Sequence, residues 1–168
     1  MLAVFLVIVC FIMVLQYIAY IDEKTMPDKA KVAAKSSGYP SYTASINLSR
    51  YSSNSKSVDL YSIDEKNRLF LYRYKSSSNL KIGKTSDITV CILLADENNN
   101  GYKTTIYNLE DTITNYEKKG WHLNCKTTLS IHFRDSLGVE RCCEIYFHGI
   151  SDSKKAIDYH KRINAARR

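Results

Sequence analysis

The pattern of hydrophobic and polar positions divides the chain into three parts. Residues 1–21 contain no charged side chain, residues 22–40 are polar and hold both prolines, and from Ser41 onward short alternating runs are separated by Ser, Asn, Asp and Gly clusters. A helix of about 20 apolar residues spans the hydrocarbon core of a bilayer. The pattern therefore predicts a transmembrane anchor at 1–21, a polar tether at 22–40 and a globular domain at 41–168.

The anchor is predicted to be uncleaved, because a signal peptide has a basic start and small residues at its cleavage site. This segment has no early Lys or Arg, and Tyr17 and Tyr20 stand near its end. Four lysines follow it within the tether: Lys24, Lys29, Lys31 and Lys35. The positive-inside rule then predicts a single-pass membrane protein with a cytoplasmic domain. Long domains can cross regardless of this charge, so an extracytoplasmic domain remains the alternative.

Within the domain, alternation with a period of two predicts an antiparallel β structure. The predicted strands are 42–48, 57–63, 68–75, 80–83, 87–96 and 102–107, with a loop at 97–101. The pattern changes to a helical period at 109–119, where acids come first, lysines come last and Gly120 follows. A second short helix is predicted at 28–35, between the two prolines of the tether.

A long β-hairpin is predicted on either side of the turn sequence "DSLG" at 135–138. A plain two-residue turn would place the charged Glu140 opposite Phe133, on the face that carries the apolar residues. One extra residue at Gly138 would instead place Val139 opposite Phe133, which matches the apolar faces of both arms. We therefore predict this bulged register.

The C-terminal segment predicts an amphipathic helix at about 152–166, capped by Ser151 or Asp152 and lying against the sheet. Its apolar side would carry Ala156, Tyr159, His160 and Ile163. Its charged side would carry Lys154, Lys155, Asp158, Lys161 and Arg162.

Charge is concentrated in this helix. The 168-residue chain has a formal net charge of +7, and residues 153–168 hold six Lys or Arg against one acid, which gives +5. A basic terminus on a near-neutral body favours contact with anionic lipid headgroups or with an acidic protein partner over binding of nucleic acid. The predicted binding face consists of Lys154, Lys155, Lys161, Arg162 and Arg168.

The cysteines and histidines of the domain predict no disulfide, metal site or cofactor. The domain cysteines are Cys91, Cys125, Cys142 and Cys143, and no pair has the CxxC spacing of a zinc site. In the predicted register Cys125 and Cys143 lie four positions apart, about 13 Å, which is too far for a disulfide. Cys142 points to the opposite face from Cys143, so the possible zinc ligands are divided between the two faces of the sheet. His122 and His148 could lie near each other on the outer face, but no thiolate joins them. No hydrolase or phosphate-binding motif is present, so neither catalysis nor a small-molecule substrate is predicted.

The order of anchor, antiparallel strands and final amphipathic helix resembles the pleckstrin-homology-like (PH-like) fold of small bacterial proteins. The resemblance runs from Val58 to Ile163 and rests on "YSIDEKNRLFLYRYKSSSNLKIGKTSDITVCILLADE", "CKTTLSIHFRDSLGVERCCEIYF" and "SDSKKAIDYHKRI". It implies an α+β fold in which a bent sheet or barrel is closed by the last helix. It also implies a binding or scaffold role.

Together these observations predict a membrane-anchored, non-catalytic binding or scaffold module that uses its basic C-terminal helix. The alternative is an extracytoplasmic anchored β domain that serves as a structural subunit of an envelope or surface assembly.

Overall fold

The computed structural model describes residues 10–11, 13–14, 28–29, 31–99, 102–121 and 123–168. The predicted anchor therefore lies largely outside the described residues, as do residues 22–27 of the tether and His122. Within the described part of the chain, no helix has both the length and the apolar character needed to cross a bilayer. The described domain is α+β, with antiparallel strands in two open sheets and a C-terminal helix.

The first sheet has the strand order β1-β3-β4-β5 and the second has the order β2-β9-β8-β6-β7. The strands of the first sheet are β1 (Ile46–Asn47), β3 (Val58–Asp64), β4 (Leu69–Tyr74) and β5 (Leu80–Lys84). Those of the second are β2 (Ser52–Asn54), β6 (Ile88–Asn99), β7 (Tyr102–Thr105), β8 (Cys125–Arg134) and β9 (Glu140–His148). Two long helices follow in the described chain, α1 (Leu109–Lys119) and α2 (Gly149–Ala166), and a 3-10 turn covers Thr85–Asp87.

The predicted strands are found with corrections, and the structure adds the short strand β2, which was not predicted and pairs with β9. The run at 42–48 forms only the two-residue β1, and Ala44 is exposed, because Tyr42 leaves the strand line to pack on the outer face of the first sheet. The first three residues of the predicted loop at 97–101 still belong to β6, since that strand continues to Asn99 and pairs with β7. The helix at 109–119 is confirmed, and Gly120 ends it.

The hairpin β8–β9 exists, but the predicted register is wrong by two residues. Phe133 lies opposite Arg141, not opposite Val139. The reason is Asp135, whose side-chain oxygen Oδ1 accepts hydrogen bonds from the backbone N–H groups of Leu137 (2.8 Å) and Val139 (3.0 Å). These bonds hold Val139 within the loop, where it is 45% exposed. A register shift of two residues leaves every side chain on the same face of the sheet. Both apolar sets therefore still point inward: Leu129, Ile131, Phe133, Cys143, Ile145 and Phe147.

The helix α2 begins three residues earlier than predicted. Gly149 has a φ of 73°, a conformation that glycine adopts readily, so the chain turns from β9 straight into the helix. Neither Ser151 nor Asp152 caps it, because both lie inside its first turn. The buried Ser153 instead bonds across to β8, with its hydroxyl 2.7 Å from that of Thr127. The helix packs on β6, β8 and β9 and covers the core between the two sheets.

The outer face of the first sheet is covered by a helical segment at 31–36 that belongs to the predicted tether. Its Ala34 is fully buried. It packs in a cluster with Tyr42, Tyr61, Leu69 and Leu71. The described residues of the predicted 28–35 helix are helical, as expected. The segment that follows the predicted anchor therefore packs against the domain from residue 31 onward.

Candidate functional site

The predicted binding face lies on the solvent side of α2, but most of its charges are already paired. The Lys154 ammonium lies 2.7 Å from both carboxylate oxygens of Glu117. The Lys161 ammonium lies 2.5 Å from Oε1 of Glu110. Both acids come from α1, so the two helices are joined by ion pairs along their exposed edges.

The helix α1 brings these acids to α2 through its apolar side. Asn108 caps the helix, accepting a 3.3 Å bond from the backbone N–H of Asp111. Leu109 and Ile113 are buried in a cluster that includes Ile157 of α2. Once those side chains pack together, the carboxylates of the same helix reach the lysines beside them.

Arg162 makes the most extensive contacts on the predicted face. Its guanidinium forms a two-point ion pair with Glu65, with Nε 3.0 Å from Oε1, and a further 3.0 Å bond to Asp158. The hydrogen bond with Glu65 is the main cause that raises the pKa of Arg162, and the same bond lowers the pKa of the Glu65 carboxyl. This pair ties α2 to the turn between β3 and β4, and Arg162 also donates to the carbonyl of Ser45 at 3.2 Å.

The last two members of the predicted face differ. Lys155 pairs with Asp152 at 3.1 Å within the helix. Arg168 is exposed, and within the described part of the chain it has no ion-pair partner. Four of the five predicted residues therefore have acidic partners, and the face is a network of mixed charge.

The hairpin β8–β9 places a thiol, an imidazole and a carboxylate together, a grouping that the sequence did not predict. The Cys142 sulfur lies 3.5 Å from Nε2 of His132, and Nδ1 of the same ring lies 3.7 Å from Glu140. The Ser130 hydroxyl lies 3.3 Å from Nε2. His132 and Cys142 are direct cross-strand partners, whereas the predicted register would have placed His132 opposite Glu140. Because the predicted register was wrong by two residues, it did not place Cys142 beside His132.

The other thiols of the domain, Cys91, Cys125 and Cys143, are buried. Burial raises the pKa of Cys143 to about 11 and that of Cys91 to about 12, which disfavours the reactive thiolate. All five cysteines are free thiols. Among the described residues, no group of three or more His, Cys, Asp or Glu side chains is arranged to hold a metal ion.

Comparison with known proteins gave no match: no protein-family model, no curated protein and no solved structure matches this chain.

Proposed function

We propose that this chain is a single-pass membrane protein whose PH-like domain acts on the cytoplasmic side as a non-catalytic binding or scaffold module at the membrane surface. Three features support the proposal. The segment 1–21 has no charged side chain, the lysines that follow favour a cytoplasmic domain, and two antiparallel sheets are covered by a C-terminal helix.

The observation that carries the proposal is the docking of residues 31–36 on the first sheet. Only the nine residues 22–30 lie between position 21 and position 31, so the chain takes ten Cα-to-Cα steps. Ten steps span about 35 Å when fully extended, which is an upper limit on the reach of the chain. The domain is thus held near the bilayer, with its first sheet close to the anchor.

The proposal includes no catalytic step. The thiol of Cys142 shares its cluster with Glu140, which is 62% exposed, so water reaches the edge of the cluster. A thiol–imidazole pair of this kind favours modification of the thiol over turnover of a substrate that must be shielded from water.

The test is fractionation and thiol labelling of the full chain in cells. We expect the chain to stay with membranes after alkaline carbonate washing. A membrane-impermeant maleimide should label Cys142 only after lysis, and the Cys142→Ser variant should lose that label. Release by carbonate would refute the anchor. Labelling of Cys142 in intact cells would refute the cytoplasmic placement and support the alternative of an extracytoplasmic structural subunit.

A further inference from the structure

We propose that anionic phospholipid headgroups dock on the surface around residues 31–36, not on α2. This surface, the anchor-proximal face, consists of Lys31, Val32, Lys35 and Lys81. The inference rests on the proposed function, because it requires that the preceding segment is a membrane anchor.

The charges of the anchor-proximal face are available, whereas those of α2 are not. Lys31, Lys35 and Lys81 are exposed, and within the described part of the chain none of the three has an ion-pair partner. A headgroup that approached Lys154 or Lys161 would have to displace a carboxylate of α1. A headgroup that approached the anchor-proximal face would displace only water and salt.

Two grooves bring the lysines of this face together around one apolar side chain. A groove of about 710 Å³ is lined by Val32 and by Lys81, which lies near the start of β5. A second groove, of about 340 Å³, is lined by Val32 together with Lys31 and Lys35. Val32 lines both grooves and is 69% exposed. Asp28 is the one carboxylate among their described lining residues, against three unpaired lysines.

An exposed aliphatic side chain surrounded by lysines suits the boundary between headgroups and acyl chains. The apolar group enters the boundary while the ammonium groups contact phosphates and carboxylates. The buried Ala34 fixes this segment to the sheet, so the lysines are presented without a large ordering cost. The anchor keeps the face within about 35 Å of the lipid, which makes the contact intramolecular.

The expected strength follows from surface electrostatics. Each lysine near an anionic leaflet contributes about fivefold to partitioning, so three contribute on the order of 100-fold at low salt. The contact should weaken as salt screens it.

The test is lysine footprinting of the full chain reconstituted in vesicles with and without phosphatidylserine. An amine-reactive ester labels the lysines, and mass spectrometry measures the rate at each site. We expect Lys31, Lys35 and Lys81 to react at least fivefold more slowly in the anionic vesicles, with protection lost at high salt. Lys154 and Lys161 should react equally in both vesicle types.

Matched variants separate the two faces. The fluorescence anisotropy of a label on Cys142 should be higher in the anionic vesicles, because contact with the lipid restricts the motion of the domain. The Lys31→Gln, Lys35→Gln, Lys81→Gln variant should lose this difference between the two vesicle types. The Lys154→Gln, Lys161→Gln variant should keep it. Protection confined to Lys154 and Lys161, or equal labelling of all five lysines in both vesicle types, would overturn the inference while leaving the anchor intact. Extraction of the chain by carbonate would show instead that the proposed function itself is wrong.

Discussion

Asp135 should control both the stability of the β8–β9 hairpin and its response to acid. The side chain of Asp135 is fully covered. It accepts a 2.7 Å bond from Nε of Arg141 as well as the two bonds from the backbone of its own loop. Burial alone would raise the pKa of this carboxyl. The Arg141 bond and the backbone bonds from Val139 and Leu137 outweigh burial, and they lower the pKa from 3.8 to about 2.

The size of the effect follows from that difference. A pKa lowered by somewhat less than two units corresponds to about 2 kcal/mol of folding free energy, at about 1.4 kcal/mol per unit. Because the pKa is lower in the folded state, this stability is fully present above about pH 4. It is lost as the pH falls from about 4 to about 2, where the folded-state carboxyl takes up its proton. The Asp135→Asn variant keeps the shape of the side chain and one acceptor oxygen, so it should lose mainly the stability that comes from the carboxylate charge.

The assay is urea unfolding of the full chain in detergent micelles, followed by circular dichroism at pH 7 and near pH 2. At pH 7 we expect Asp135→Asn to be about 2 kcal/mol less stable than the natural chain, and near pH 2 the difference should be less than half as large. Glu140→Gln removes an exposed carboxylate from the same hairpin and should change stability by less than about 0.5 kcal/mol. An equal loss for Asp135→Asn at both pH values, or no loss at pH 7, would refute the reasoning.

Two further substitutions test packing and thiol chemistry. Gly83→Ala would place a Cβ 2.4 Å from the buried ring of Phe70 and should lower the free energy of unfolding by about 1–3 kcal/mol in the same urea assay. Unchanged stability would show that the ring can move aside without cost. At pH 7 iodoacetamide should alkylate Cys142 before the buried Cys143, as read by mass spectrometry, and His132→Gln should slow that reaction several-fold because the neighbouring imidazole is removed. Equal rates in the two proteins would exclude a role for the imidazole.

Local patterns predicted the elements of the fold well, because the alternation of apolar residues in β8 and β9 and the helical period of α1 are properties of short segments. They could not predict the hairpin register. Apolar alternation fixes only which face each residue occupies, so registers that differ by two residues satisfy it equally. The choice depends on Asp135, whose carboxylate closes the loop, and no hydrophobic pattern contains that information.

Sequence patterns also could not predict how the charges of the candidate site are paired. A helical wheel places Lys154, Lys161 and Arg162 on one charged side, but their acids lie 37, 51 and 97 residues away along the chain. The excess of positive charge in residues 153–168 is therefore not the charge that α2 presents to a partner.

The groups that lie beside each lysine in the folded domain determine whether its charge remains available to a partner. Glu110 and Glu117 face α2 because the apolar side of α1 packs there, so the basic helix is neutralised by its neighbour. Lys31 and Lys35 project from a segment whose buried side is the small Ala34, and the packing there brings no acid to them among the described residues. An anionic membrane should accordingly select the anchor-proximal face, although the sequence places fewer charges there than in the C-terminal helix.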